Sequence, residues 1–172
     1  AKTGNEVIIC GRNQDRLQAA KQEHDFETIV CDITKDEDQN RLFNLLTEKY
    51  GHLDVLVNNA GVLHAYNFAN DPQAIEYVEQ EIELNSTAQL KMSYRALPLL
   101  KKSSEPALVF VTSGTVYVPS PFAPVYTGTK ALIHHFAKSL RVHLQPHHIK
   151  VFELLPPPTD TGLSDNVKNK FD

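Results

Sequence analysis

Five short apolar segments alternate with longer helical patterns along this chain, and this alternation limits the possible fold more than any other feature. The predicted strands cover residues 6–10, 27–31, 53–57, 107–112 and 149–155. The predicted helices cover residues 14–23, 36–50, a segment from 71, 87–100 and a segment that ends at about 144. Strands that alternate with helices form a parallel sheet covered by helices on both faces. We therefore predict an α/β fold with a doubly wound parallel sheet in a single domain.

The apolar spacing in the two middle helices predicts which sides of them are buried. Ile75, Val78 and Ile82 recur at helical intervals after the helix opening Asp71-Pro72. In the next helix the same spacing is carried by Leu90, Tyr94 and Leu97. We expect both sets of side chains to face the core.

Ser113, Tyr126 and Lys130 are predicted to lie near one point beyond the end of the fourth strand. Ser113 follows that strand directly. Tyr126 and Lys130 are four residues apart at the start of a helix, so they share one helix face. Ligands of open α/β sheets bind beyond the carboxyl ends of the strands. A tyrosine whose pKa is lowered by a nearby lysine can exchange a proton with an alcohol or carbonyl oxygen, and a serine hydroxyl can hold that oxygen.

The chain resembles the short-chain dehydrogenase/reductase family. The resemblance lies in Ser113, Tyr126 and Lys130 at the family spacing, in the string Asn58-Asn59-Ala60-Gly61 after an apolar strand, and in Asn85 within a helical segment. It implies a Rossmann-type fold and an NADP(H)-dependent oxidoreductase that interconverts a carbonyl and an alcohol by hydride transfer. The string LLPPPTDTGL of residues 154–163 is similar to a subgroup associated with D-alanine esterification of teichoic acids.

The resemblance implies a role for each of four catalytic residues. Tyr126 would be the general acid–base. Lys130 would lower the pKa of Tyr126 and hold the nicotinamide ribose. Ser113 would orient the substrate oxygen, and Asn85 would support a water that relays protons to Lys130. A lone Asn in a helical stretch is otherwise tolerated or hydrogen-bonded locally, so Asn85 depends most on the resemblance.

The resemblance also implies the cofactor contacts, which include Tyr126 and Lys130. Asp32 and Ile33 match the family positions at the adenine. Asn59, Ala60 and Gly61 match the segment that lines the cofactor, where small residues let the backbone approach closely. Thr161 matches the threonine at the nicotinamide amide. Pro156-Pro157 stands where the family has Pro-Gly, and the second proline removes one N–H donor from this segment.

Arg12 is the residue that predicts which nicotinamide cofactor is bound. It follows the first visible strand, and Gly11 stands at the usual position of the ribose-binding acid. An Arg nearby accommodates a 2′-phosphate, through charge-assisted hydrogen bonds. We therefore predict NADP in preference to NAD. The alternative is that Arg12 is a solvated side chain at a helix start.

The seven glycines of the chain form no Gly-rich phosphate-binding loop. In the family such a loop follows a first strand, which lies at the centre of the sheet in the order 3-2-1-4-5-6. We expect that strand to be absent here, which would leave unpaired edges on the strands at 6–10 and 53–57. We interpret residues 1–172 as a partial Rossmann-type dinucleotide-binding and catalytic domain of a longer protein. The alternative is a truncated relative without a catalytic role.

The composition and the net charge argue against two kinds of binding partner, nucleic acid and the membrane interior. The net charge is −4, from 17 basic and 21 acidic residues, which argues against nucleic-acid binding. No apolar run has the length of a membrane span. Cys10 and Cys31 lie in strand-like runs and are typical of buried thiols in a reducing compartment, so we expect a cytoplasmic protein.

Histidines cluster near the end of the last long helix, but we predict no metal site there. Pro146 interrupts His143 and His147, the pair with helical spacing that could share a metal ion. A metal site needs ligands that converge at fixed geometry, and no paired acidic ligand is near these residues in sequence.

The substrate is expected to be a small carbonyl or alcohol compound. The segments 65–69 and 118–124, together with the tail after Pro156, would contact it, and their aromatic residues suggest a moderately apolar molecule. The alternative is that these aromatic residues only pack the loops. By resemblance, the helices that begin near 87 and 125 would form a homodimer or homotetramer interface.

Two other functions are consistent with the same residues. One is a non-catalytic nucleotide-binding regulatory or scaffold protein of the same fold, which the missing phosphate loop favours. The other is a sugar-nucleotide epimerase or dehydratase, which shares the Tyr-x-x-x-Lys pattern.

Overall fold

Five parallel strands form two sheets in the computed structural model, which describes residues 4–24 and 26–157. The strands are β1 (Ile8–Gly11), β2 (Glu27–Val30), β3 (Val55–Asn58), β4 (Ala107–Val111) and β5 (Lys150–Leu154). β1 pairs with β2, and the second sheet has the order β3-β4-β5. The predicted α/β fold with parallel strands is confirmed.

The helices between the strands begin and end close to their predicted positions. They are α1 (Gln14–Glu23), α2 (Asp36–Lys49), α3 (Ala74–Ile82), α4 (Ala88–Leu100) and α5 (Pro124–Leu144). A π-helical turn (Glu83–Thr87) joins α3 to α4, and short 3₁₀ helices cover Gly114–Val116 and Gln145–His147.

Local signals mark the start of the first helix and the end of the second. The Asn13 side chain accepts a hydrogen bond of 2.9 Å from the Arg16 N–H, which satisfies a free donor at the start of α1. Gly51 follows α2 with φ +75°, a conformation in which glycine is favoured because it has no Cβ. These signals lie within a few residues of the helix ends, so they can be recognised in sequence.

β1 and β3 each have one edge that pairs with no strand among the described residues. Val55 and Val57 of β3, which lie on one face of the sheet, are 46% and 53% exposed. In the family order a strand would lie between these two edges, and the order β2-β1 and β3-β4-β5 on either side agrees with that topology.

One hydrophobic cluster joins α2, α4 and α5 to β4 and β5. Its fully buried members include Leu100 from α4, Leu108 and Phe110 from β4, and Ile133 from α5. The Phe110 ring meets the Phe136 ring edge-on, with 5.8 Å between centroids. This packing fixes the start of α5 relative to the end of β4, where the predicted site lies. Within the described residues, no helix is long and apolar enough to span a membrane.

The predicted buried faces of α3 and α4 are partly wrong. Ile75 is 65% exposed, Ile82 is 46% exposed and Tyr94 is 76% exposed. On α3 the side that packs inward instead carries Ala74 and Glu81. That side of α3 faces polar backbone groups near the start of α5, so apolar spacing does not identify it.

Candidate active site

Ser113 lies directly beyond the end of β4. Its backbone is extended, and its hydroxyl accepts a hydrogen bond of 3.2 Å from the Thr115 N–H, which caps the following 3₁₀ helix. The neighbouring Thr112 is buried and bonds to the next strand, donating to Glu153 Oε1 at 2.7 Å. These contacts hold the Ser113 side chain at the carboxyl end of the sheet, where ligands of this class of fold bind.

α5 carries Tyr126 and Lys130 to the same place. Pro124 occupies the first turn of α5, where its missing N–H costs no hydrogen bond. Tyr126 and Lys130 then follow on one face, and both are buried. The Lys130 ammonium lies 5.7 Å from the centre of the Tyr126 ring and donates a 2.9 Å hydrogen bond to the Val111 carbonyl at the end of β4. The structure therefore brings the predicted Ser113, Tyr126 and Lys130 together.

The pKa of the Tyr126 phenol lies above the ordinary value for tyrosine. Burial is the main cause, because it disfavours the charged phenolate. The nearby Ser113 side chain acts in the opposite direction, and the charge of Glu81 raises the pKa further. From the sequence we predict a lowered pKa for Tyr126. That prediction is wrong, because burial has the largest effect and raises the pKa.

Burial lowers the pKa of Lys130 from 10.5 to about 8. An ammonium group loses its hydration when it is buried, and the single hydrogen bond to a backbone carbonyl compensates only in part. Lys130 therefore loses its proton far more readily than a surface lysine does.

Asn85 lies in the π-helical turn between α3 and α4 and is fully buried. Its side-chain oxygen accepts from the Val62 N–H and its side-chain nitrogen donates to the Val62 carbonyl, each at 2.8 Å. A third hydrogen bond, of 3.3 Å, reaches the Thr129 hydroxyl on α5. π-helical turns are frequent at functional sites. Here the turn places Asn85 between α5 and the loop of residues 59–73, which joins β3 to α3.

Gly61 in this loop lies against the predicted catalytic residues. A Cβ atom on Gly61 would lie 3.3 Å from Asn85 Oδ1 and 3.6 Å from Lys130 Nζ. The approach to Asn85 is tight for a real side chain, so glycine lets the loop backbone come close to the Asn85 amide. The neighbouring Asn59 and Ala60 are exposed at the end of β3, and the Ala60 carbonyl accepts a 2.7 Å hydrogen bond from the buried Gln89.

The predicted adenosine-side residues lie at the ends of β1 and β2. Arg12 is exposed immediately after β1. Asp32 accepts hydrogen bonds from the Thr34 N–H at 3.0 Å and the Thr34 hydroxyl at 2.7 Å, so its side chain forms a local turn. Ile33 is half-buried and packs against the main core. Thr161 lies outside the described residues.

A cleft of about 840 Å³ opens beside the start of α5. Its lining includes Tyr66 and Phe68 from the loop 59–73 together with Phe122 and Pro124. The Tyr66 N–H donates a 3.1 Å hydrogen bond to the Phe122 carbonyl, which ties the two walls together. The cleft thus combines residues from both segments that the sequence predicts to contact the substrate.

Two buried acidic residues near the site are missed by sequence reasoning. Glu153 on β5 contacts His134 on α5, with 2.8 and 2.9 Å between His134 Nδ1 and the two carboxylate oxygens. Glu81 is buried under the start of α5. Within residues 4–24 and 26–157, no three side chains of His, Cys, Asp or Glu converge as metal ligands.

The sequence of the chain matches a model of the short chain dehydrogenase family over residues 1–171. It is similar to the uncharacterized oxidoreductase DltE of Bacillus subtilis, with 39% identity over 168 residues. That alignment covers 97% of this chain and 67% of DltE.

Two solved structures are also similar to the fold. A serine dehydrogenase complexed with NADP+ has a TM-score of 0.83 and 26% identity, with 91% of this chain and 63% of that chain covered. A 3-ketoacyl-(acyl-carrier-protein) reductase from Brucella melitensis complexed with NADH has a TM-score of 0.85 and 26% identity, with 94% and 68% covered.

The chain spans roughly two thirds of the length of these three proteins. The family match extends over nearly all of this chain and agrees with the parallel α/β fold. The chain belongs to the short-chain dehydrogenase family of oxidoreductases.

Proposed function

We propose that residues 1–172 form the catalytic part, and a partial dinucleotide-binding part, of an NADP(H)-dependent oxidoreductase that interconverts a carbonyl and an alcohol. The observation that carries this proposal is that Ser113, Tyr126 and the buried Lys130 meet at the end of β4. Lys130 lies one helical turn from Tyr126, with its ammonium held by the strand. These groups offer two hydroxyl donors and a cation at one point.

The residues present fit a nicotinamide cofactor. Gly61 leaves space beside the buried Lys130 ammonium, a hydrogen-bond donor suited to ribose hydroxyls. Asn59 and Ala60 are exposed at the adjacent end of β3, and Arg12 is exposed at the end of β1. An NADP cofactor bound along these strand ends supplies the hydride.

The side chains of this chain then handle the proton. The raised pKa keeps the Tyr126 phenol protonated at neutral pH, so it can donate to a carbonyl oxygen during reduction. The Ser113 hydroxyl can donate to the same oxygen and fix its position. In the reverse direction Tyr126 acts as its phenolate, which receives the proton of the alcohol. Asn85 holds the loop 59–73 against Lys130, and in this proposal it also supports the water that passes protons to Lys130.

The proposal includes a small-molecule substrate, a homodimer or homotetramer and a cytoplasmic location. The aromatic walls of the cleft near Tyr66 and Phe122 support a moderately apolar substrate. Exposed apolar side chains on two long helices, Tyr94 on α4 and Val142 on α5, support a subunit interface there. Two thiols that are both free support a reducing compartment. Light scattering of the purified protein tests the assembly.

The test of the reaction uses the full-length protein that carries this sequence. A panel of carbonyl compounds is assayed with NADPH, and Tyr126→Phe is compared with Tyr50→Phe, which removes the hydroxyl of a tyrosine at the C-terminal end of α2. We expect Tyr126→Phe to lose about 100- to 10,000-fold in kcat and to bind NADPH as before, because it lacks only the acidic proton. Undiminished turnover in Tyr126→Phe would exclude the mechanism. Binding of NADPH without turnover of any compound would instead support the scaffold function.

A further inference from the structure

Glu81 carries a carboxyl group that is completely enclosed by protein, with 0% of the residue exposed. It lies in the last turn of α3, four residues before Asn85. Burying a carboxylate is costly unless hydrogen bonds compensate for the lost hydration. A residue of this kind in the wall of a candidate site therefore requires an explanation.

The partners of Glu81 connect it to two other parts of the site. Its Oε1 atom accepts a 2.8 Å hydrogen bond from the His64 N–H in the loop 59–73, and His64 Nδ1 lies 3.4 Å from the same oxygen. The backbone N–H of Tyr126 also favours the charged form of the carboxyl group. Glu81 thus lies between the loop and the first turn of α5.

The contacts of His64 make this connection rigid. Its ring stacks on the ring of Tyr77, one turn before Glu81 on α3, with 4.4 Å between centroids and 13° between planes. Tyr77 in turn contacts Tyr66, whose ring centroid is 5.3 Å away. The loop that lines the cleft is therefore packed on α3 next to the carboxyl group.

We propose that Glu81 is a positioning residue for Tyr126, which joins the first turn of α5 to the loop 59–73 and places a negative charge near the phenol. This inference rests on the proposed function, in which Tyr126 transfers the proton. The carboxylate accepts the His64 N–H of the loop and lies near the Tyr126 N–H in the first turn of α5, where a negative charge is also favoured by the helix dipole. The geometry of Tyr126 and its charge balance then depend on one buried group.

The electrostatic part of the proposal has a definite sign. A negative charge near a phenol disfavours the phenolate, and the charge of Glu81 contributes to the raised pKa of Tyr126. The other titratable groups around the carboxyl are His64 and Tyr66 from the loop, and Lys130 lies one turn further along α5. Burial raises the pKa of Glu81 itself, although both backbone N–H groups oppose that change.

The experiment compares Glu81→Gln with Glu79→Gln in the full-length protein. Glu79 is an exposed residue on the same helix, so its variant makes the same chemical change outside the site. The pKa of Tyr126 is measured by NMR titration of ¹³C-labelled tyrosine, with Tyr126→Phe to assign the signal. Where turnover is detected, kcat is measured against pH. The NMR titration needs no substrate, so failure of the proposed reaction does not affect it.

We expect the Tyr126 pKa to fall by about one pH unit in Glu81→Gln and to stay unchanged in Glu79→Gln. The pH profile of kcat should move in the same direction by a similar amount. An unchanged Tyr126 titration in folded Glu81→Gln would overturn the proposal.

A second variant covers the case in which Glu81→Gln does not fold. Glu81→Asp keeps the charge and withdraws it by one methylene group. We expect Glu81→Asp to keep the high Tyr126 pKa and to lower kcat more than 10-fold, because the first turn of α5 is no longer held in place. A Glu81→Asp protein with unchanged kcat and a lowered Tyr126 pKa would contradict the positioning role.

Discussion

The side chain of Asn85 forms a closed pair of 2.8 Å hydrogen bonds with the backbone N–H and carbonyl of Val62. The side-chain amide thus satisfies both backbone hydrogen-bonding groups of Val62, as a neighbouring strand would do in a sheet. Because Gly61 precedes Val62 and lies next to Lys130, the same pair of bonds sets the distance between the loop and the Lys130 side chain. A residue that sequence suggests only weakly therefore holds two parts of the site together.

The first prediction concerns the contribution of this pair to stability. Asn85→Ala removes both bonds and leaves buried backbone groups of Val62 without partners. We expect the free energy of unfolding to fall by about 2–4 kcal/mol, measured by urea denaturation of the full-length protein. Asn44→Ala, at an exposed position on α2, is the control and should change stability by less than about 0.5 kcal/mol. Equal stabilities of the two variants would show that the Val62 bonds contribute nothing.

The convergence of Ser113, Tyr126 and Lys130 could be predicted from the sequence, because their positions follow from one strand and the start of one helix. Ser113 follows a strand, and the other two residues share a face one turn apart. Parallel strands with helical connections place strand ends and the following helices at one edge of the sheet. The ends of α1 were predictable for a similar reason, since the Asn13 cap lies next to the residues that it stabilises.

The burial of Glu81 and the exposure of Ile75 could not be predicted in this way. Periodicity assumes that the inward side of a helix is apolar. The inward side of α3 faces the His64 N–H and the start of α5, which are distant in sequence and require an acceptor. The contact of His134 with Glu153 likewise depends on how α5 packs against β5. Pairings of this kind appear only when the tertiary structure is known.

The second prediction follows from the lowered pKa of Lys130. The value of about 8, below the ordinary 10.5, means that the folded protein binds this proton more weakly than the unfolded chain does. Stability should therefore rise with pH between about 8 and 10.5. Below pH 8 Lys130 is protonated in both the folded and the unfolded protein. Burial of its charge then lowers the free energy of unfolding by the full amount, on the order of 3 kcal/mol.

Lys130→Met removes the charge and keeps most of the side-chain volume. We expect it to raise the free energy of unfolding at pH 7 by about 1–3 kcal/mol, and the gain should disappear as the pH approaches 10.5. Thermal and urea unfolding at several pH values measure this difference. Lys138→Met, at an exposed position of α5, should show no such dependence. A gain that is the same at every pH would argue against a buried charge at Lys130.

The third prediction concerns the buried pair of His134 and Glu153. His134→Leu leaves the Glu153 carboxylate buried with the Thr112 hydroxyl as its remaining side-chain partner. Removal of one partner of a buried pair lowers the free energy of unfolding by about 3–5 kcal/mol. Replacement of both partners by apolar groups lowers it less. We therefore expect His134→Leu to be less stable than the double variant His134→Leu/Glu153→Leu. Urea denaturation of the two variants measures the difference, and the exposed His143→Leu serves as the control.

The fourth prediction tests the choice of cofactor through Arg12. This side chain is exposed immediately after β1, and Gly11 before it offers no carboxylate for a ribose hydroxyl. If Arg12 binds the 2′-phosphate, Arg12→Ala should weaken NADPH binding about 10- to 100-fold, the effect of losing a charge-assisted hydrogen bond. Binding of NADH, which has no such phosphate, should stay the same. Titration calorimetry with the two cofactors measures both affinities in the full-length protein.

Arg16 provides a matched control for this prediction because it is also exposed and lies one turn into α1. Arg16→Ala removes the same positive charge from the same region. General attraction of the cofactor by positive charge would make the two variants lose NADPH affinity equally. A specific contact would confine the loss to Arg12→Ala. Equal affinity of the unmodified protein for NADPH and NADH would instead mean that Arg12 is a solvated side chain, and that the cofactor preference must be set by other residues.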